Sequence, residues 1–133
     1  MAIALLARRQ ENLDTQIQKL KTDIPGAICE GFVSDTSPSN LEAAFAAIQS
    51  HDSFRGLKLR AAIFNIKSPS RRPFAEETYD HFTAYMTEYV GGAFAFAKCA
   101  TARFWRDHGE AALADGGGKK GTLIFTGVTG AIR

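Results

Sequence analysis

Short runs of almost wholly apolar residues alternate along this chain with stretches whose apolar residues recur every three or four positions. Ala2-Ile3-Ala4-Leu5-Leu6-Ala7 has strand length and no polar alternation, as expected of a strand buried on both faces of a parallel sheet. Between Gln10 and Asp23, Leu13, Ile17 and Leu20, continued by Ile24, form one helical stripe. Pro25-Gly26 ends it, because proline cannot continue a helix and glycine tolerates the turn. Ala27 to Val33 is a second strand, followed by the turn-like Ser34-Asp35-Thr36-Ser37-Pro38. A second helix is predicted to open at Ser39, with Ser39 and Glu42 as a reciprocal capping box. Leu41, Ala44, Phe45 and Ile48 supply its apolar face.

Leu59 to Ile66 is the third strand, and Lys67 to Pro73 a loop with two prolines and two arginines. A long helix is predicted from about Glu76 to about Asp107. Its stripe is Tyr79, Phe82, Met86, Tyr89 and Ala93, and Gly91-Gly92 interrupts it with either a close packing contact or a kink. Asp115 to Gly121 is a surface loop, and Thr122 to Thr126 the last strand. The order β-α-β-α-β-α-β predicts an α/β fold, a parallel sheet with flanking helices. At 133 residues the chain is expected to be one domain.

Composition narrows the function. Sixteen Lys+Arg against fourteen Asp+Glu leave a formal charge of +2, which argues against a dedicated nucleic-acid binder. No window approaches the ~18 apolar residues that span a bilayer. The apolar start is six residues long and is followed by Arg8-Arg9, the reverse of a secretory signal. Cys29 and Cys99 show no metal-ligand spacing and suit reduced thiols. A soluble, cytoplasmic protein is expected.

Candidate ligand positions follow the strands, since ligands of doubly wound folds collect at the carboxyl ends of strands. Arg8 and Arg9 follow the first strand. They are either solvated arginines at a helix entrance or paired N–H donors for a phosphate such as a ribose 2′-phosphate. Asp35 and Asn65 follow the second and third strands, each either a turn residue or a ligand. Arg71 and Arg72 flank the next loop, where a solvated role is the simpler reading. His51, His81 and His108 are scattered without partners at ligand spacing, so no metal site is expected. Glu76, Glu77 and Asp80 suit the positive end of the long helix. Gly116 to Gly118 precedes a strand instead of following one, so it is not a phosphate cradle. Trp105 and the ten phenylalanines are expected mostly in the core.

Together these segments resemble the short-chain dehydrogenase/reductase family. Ala4-Leu5-Leu6-Ala7-Arg8-Arg9 with Asn12-Leu13 is similar to that family's second strand and following helix. Asp35-Thr36 stands where the family's aspartate meets the adenine ring, and Ile63-Phe64-Asn65-Ile66-Lys67 resembles its Asn-Ala-Gly segment. Tyr89 takes the mid-helix place of the family's asparagine, and Gly121 to Gly127 resembles the strand that ends at its catalytic serine.

The resemblance implies NADP(H), with Arg8, Arg9, Asp35 and Asn65 lining its site, and a small-molecule alcohol or carbonyl substrate. The serine position falls on Gly127 or Ala131, and Thr126 and Thr129 are the nearby hydroxyls that would substitute. The family's T-G-x-x-x-G-x-G loop and Tyr-x-x-x-Lys are missing from this sequence. The expectation is therefore a partial Rossmann-like domain, lacking the central strand and the C-terminal part and inactive alone. The alternative is a non-catalytic, truncated remnant that binds a partner. Without the central strand, residues 3–7 with 27–33 and residues 59–66 with 122–126 would form separate pairs, which either close on each other or expose apolar edges. Self-association is expected through such edges or through the helix at 76–107.

Overall fold

The structure, a computed structural model, describes residues 1–66, 72–111 and 115–126. The chain divides into two units, Met1–Leu57 and Lys58–Arg133.

In the first unit, strand β1 (Ala2–Ala7) pairs in parallel with β2 (Ile28–Val33), in a register running from Ala2 opposite Ile28 to Ala7 opposite Val33. Helix α1 (Gln10–Asp23) makes the crossover and buries Leu13 against the strands. Gly31 lets it approach closely, because a Cβ there would stand 3.0 Å from both Leu13 Cβ and Ile17 Cδ1. The helix stops where the Pro25-Gly26 signal places its end: Ile24 N–H bonds to Leu20 O, and Gly26 turns the chain at φ +82°. β1 is half-buried, short of the full burial that its composition suggests. The cause is its setting, with β2 as its one neighbouring strand and its other edge unpaired by any described strand.

Helix α2 spans Pro38–Ser50 and corrects the expected start at Ser39. Its N-cap is Ser37, and the Ser39–Glu42 capping box does not form. Pro38 explains the shift: its fixed φ suits the first helical position, and it has no N–H to leave unpaired. Leu41 and Ala44 are buried on the expected face. His51 follows α2 and caps the short 3-10 turn Asp52–Phe54, its Nδ1 accepting from Ser53 N–H at 3.2 Å while its ring stands edge-on to Phe32.

The second unit pairs β3 (Ala61–Phe64) in parallel with β4 (Thr122–Phe125), Phe64 opposite Phe125. Hydrogen bonding thus joins the described strands as two separate parallel pairs, β1 with β2 and β3 with β4. The long helix is broken into α3 (Tyr79–Met86), a π turn at Thr87–Gly91 and α4 (Gly92–His108). It begins later than Glu76, because Thr78 caps it by accepting from His81 N–H at 3.2 Å.

At Gly91-Gly92 the structure shows a feature that neither expectation named, a π turn, Thr87–Gly91, that ends at the glycine pair. The π turn holds more residues per turn than an α-helix, so it rotates everything after it. The expected stripe is not the packing face on either side of the turn: Tyr79 and Phe82, which precede it, are exposed, and beyond it Gly92, Ala95, Phe96, Ala100 and Phe104 are buried. The expectation that the phenylalanines and Trp105 are mostly core also fails. Phe54, Phe64, Phe96 and Phe104 are buried and Phe32 and Phe45 half-buried, but Phe74, Phe82, Phe94, Phe125 and Trp105 are exposed. Among the described residues no helix is long and apolar enough to cross a membrane.

α4 seats on its sheet through Phe96, whose ring centroid is 5.5 Å from that of Phe64, and through Phe104 over Gly121. A Cβ at Gly121 would lie 2.2–2.6 Å from the Phe104 ring, which is itself buried. Gly121→Ala is expected to destabilise this unit by about 1–3 kcal/mol through overpacking. Gly118→Ala, with nothing within 4 Å, is expected to be near neutral; paired thermal melts check both.

Candidate functional site

The carboxyl end of the first sheet gathers three of the expected ligand residues. Ala7 and Val33 end the ladder opposite each other, and Ser34 N–H extends it by bonding to Ala7 O at 3.0 Å. The chain therefore leaves the two strands side by side, with Arg8 and Arg9 from one and Asp35 from the other. Both arginines are exposed, and Arg9 is the N-cap residue of α1 in extended conformation.

Asp35 is built into the start of α2. Its Oδ1 accepts from Ser37 N–H at 2.8 Å, Ser37 Oγ at 2.6 Å and Asn40 Nδ2 at 3.0 Å. These bonds, those of Ser37 foremost and that of Asn40 next, hold its carboxyl below the ordinary carboxylate range, with a smaller pull from the Arg8 charge. Asp35 is thus a fixed, ionised acceptor beside a cation. Ser37 and Asn40 were not singled out from the sequence, although the Asp-x-Ser-Pro turn could have indicated that the aspartate folds back onto its own backbone.

At the carboxyl end of the second sheet, Asn65 follows β3 and Thr126 follows β4, both exposed. Thr126 N–H bonds to Phe64 O at 3.1 Å, and Thr126 Oγ1 donates to Asn65 Oδ1 at 2.8 Å. Thr129, Gly127, Ala131, Lys67 and Arg71 lie outside the described residues. Arg72 is exposed, and its charge contributes to lowering the Glu77 carboxyl.

Tyr89 sits in the π turn, its ring stacked on Tyr85 with centroids 4.3 Å apart and an interplanar angle of 21°. One turn earlier, His81 Nδ1 pairs with Glu77. Periodicity could not reveal this helical irregularity, since the Gly91-Gly92 pair marks a break without giving its form. Among the described residues no group of three or more His, Cys, Asp or Glu is placed to hold a metal ion.

The residues present fit the adenosine half of a phosphorylated dinucleotide. Arg8 and Arg9 supply N–H donors and positive charge for a 2′-phosphate. Asp35 has Oδ1 committed to the helix start, while Oδ2 remains to accept from the exocyclic amine of an adenine.

No family model matches the sequence, and no curated protein matches it. Solved structures do. A gluconate 5-dehydrogenase from Burkholderia cenocepacia J2315, in complex with NADP and tartrate, aligns over 92% of this chain and 42% of its own, at 18% identity and TM-score 0.64. A 2-keto-3-deoxy-D-gluconate dehydrogenase from Streptococcus agalactiae aligns over 90% of this chain and 49% of its own, at 18% identity and TM-score 0.66. A short-chain dehydrogenase from Oenococcus oeni PSU-1 aligns over 77% and 43%, at 23% identity and TM-score 0.56. The chain thus spans less than half the length of each of these proteins. What it shares with them is the fold: the chain has the partial Rossmann-like architecture of the short-chain dehydrogenases.

Proposed function

We propose that this chain is part of a short-chain dehydrogenase/reductase, an oxidoreductase that interconverts an alcohol and a carbonyl with NADP(H), and that its own contribution is to hold the cofactor. The observation that carries this reading is the placement of Arg8 and a prefolded Asp35 at adjacent carboxyl ends of two parallel strands. In such folds that edge is where a dinucleotide lies. The neighbour in complex with NADP supports the choice of cofactor.

The bound cofactor would supply the hydride. Arg8 and Arg9 would neutralise its 2′-phosphate, and Asp35 would orient its adenine. Asp35 needs no reorganisation to do this, because Ser37 and Asn40 already fix it. The sequence contains no Tyr-x-x-x-Lys to transfer the accompanying proton, so alcohol oxidation by this chain alone is not expected.

A thermal-shift comparison tests the reading. NADPH is expected to raise the melting temperature more than NADH does, and Arg8→Ala to abolish the difference. Equal shifts, or none, would remove the cofactor-site assignment.

One observation favours a second reading, in which the chain docks to another polypeptide. β1 is bonded to a strand on one side only, and Phe74, Tyr79 and Phe94 are 95%, 81% and 73% exposed. Each feature, taken within its own unit, is apolar surface that a partner would cover. Light scattering of the purified chain separates the outcomes: a monodisperse monomer at high concentration argues against self-association through these surfaces.

A further inference from the structure

Burial along the long helix starts abruptly. None of the eight residues of α3 or the five of the π turn is buried, whereas α4 is buried from its first residue, Gly92, through to Phe104. Of the described elements, α3 packs chiefly on the π turn that follows it, while α4 packs on both β3 and β4. A helix without a buried face depends on its own length for stability, and one of about 12–15 residues is marginal in water.

Along its own length this segment carries a ladder of side chains. Glu77 pairs with His81, the His81 ring centroid lies 6.1 Å from that of Tyr85, and Tyr85 stacks on Tyr89 at 4.3 Å. Each step spans four residues, the spacing that sets side chains over one another on a helix. The ladder ends in the π turn, where the helix is locally weakened. Thr87, the first residue of that turn, directs its hydroxyl back onto Thr83 O at 2.9 Å, a bond that competes with the backbone ladder and bends helices. Gly91, the last, has a helical φ of −61°, and a Cβ there would meet nothing within 4 Å. Neither the backbone nor a neighbour requires glycine at that place, and glycine weakens a helix more than any residue except proline.

We infer that residues 79–91 form a hinged helical arm, which opens and closes as a unit on α4 while the β3–β4 sheet and the buried part of α4 stay folded. Elements with few buried apolar contacts open at a lower free energy than the core they adjoin, and a π turn is a recognised place for a helix to bend. The arm carries the exposed Tyr79, Phe82 and Met86 with it. This inference does not depend on the cofactor reading, since every residue it uses lies within the Lys58–Arg133 unit.

Native-state hydrogen exchange of the full chain tests it. The amides of residues 83–91 are expected to exchange at least about tenfold faster than those of residues 95–104, β3 and β4. A common rate for all of them would overturn the arm, because the long helix would then open only together with its sheet.

Two substitutions test what holds the arm closed. Tyr85→Ser removes both ring contacts at nearly the same helix propensity. It is expected to speed exchange in residues 83–91 roughly two- to tenfold, the range of an aromatic contact. Gly91→Ala is expected to slow exchange there roughly fivefold. In both variants the β3 and β4 amides keep their wild-type rates. Changes of equal size in arm and sheet, or an arm that responds to neither substitution, would contradict an independent, hinged unit.

Discussion

Asp107→Ala is expected to destabilise the Lys58–Arg133 unit by about 3 kcal/mol, the scale on which removing one member of a buried ion pair acts. The Arg103 and Asp107 side chains are only 15% and 10% exposed, with Nε and Oδ2 2.8 Å apart on successive turns of α4. The same Oδ2 accepts from Leu59 N–H at 2.7 Å, and on the neighbouring residue His108 Nε2 bonds to Leu59 O at 2.9 Å. Asp107 therefore ties the end of α4 to the segment that leads into β3. Alanine would leave Leu59 N–H without this acceptor and the Arg103 guanidinium without this counter-charge. Asp107→Asn, which retains one acceptor oxygen, is expected to fall between alanine and wild type; urea melts of the three proteins order them.

The same group sets a pH dependence. Burial raises the Asp107 carboxyl pKa, but the bonds from Arg103 and Leu59, together with the Arg103 and His108 charges, outweigh it. The net position lies below the ordinary value of 3.8. The unfolded chain then binds a proton more readily than the folded one, so stability rises with pH through this window. The Asp107 contribution is fully present above about pH 4 and is lost as pH falls through the depressed folded value. Melts between pH 2 and pH 5 are expected to converge for wild type and Asp107→Ala at the acid end.

Leu13→Ala is the second large effect. Leu13 is 2% exposed and is the side chain that α1 sinks into its sheet, across from Gly31. Removing its buried methyl groups is expected to destabilise the Met1–Leu57 unit by about 2–5 kcal/mol. The close approach allowed by Gly31 makes local collapse difficult, which favours the upper part of that range. Ile17→Ala, at a half-buried position on the same stripe, is expected to have a smaller effect. Hydrogen exchange of the β1 and β2 amides follows this unit by itself.

The alternation of apolar runs with helical stripes was legible because strand and helix periods differ sharply. β1 and α1 lie where their patterns place them, and so does the stop at Pro25-Gly26. The start of α2 was less legible. Ser39 and Glu42 have the right spacing, but the proline before them satisfies the helix start in another way, and Asp35 bonds to the cap residue itself. The long helix was least legible, because a single π turn changes the phase of everything beyond it. Tyr79 and Phe82, which precede the turn, are exposed as well, because periodicity finds an apolar face without showing what covers it.

The placement of Arg8, Arg9 and Asp35 after the strand ends of the first unit, and of Asn65 after a strand end of the second, was readable from element order. The bonds that prefold Asp35 and orient Asn65 were not. They depend on local backbone geometry and on the register of two distant strands, which one-dimensional spacing does not contain.

The most direct test of the cofactor assignment is a titration with 2′,5′-ADP, followed in ¹H–¹⁵N spectra and compared with 5′-AMP. This ligand carries the adenosine and the 2′-phosphate without the nicotinamide half, so the result reports on the Arg8, Arg9 and Asp35 contacts alone. Saturable shifts in the amides of residues 8–10 and 35–37, stronger with 2′,5′-ADP than with 5′-AMP, are predicted. Absence of shifts at these residues, or equal responses to the two nucleotides, would contradict the assignment of Arg8 and Arg9 to a 2′-phosphate.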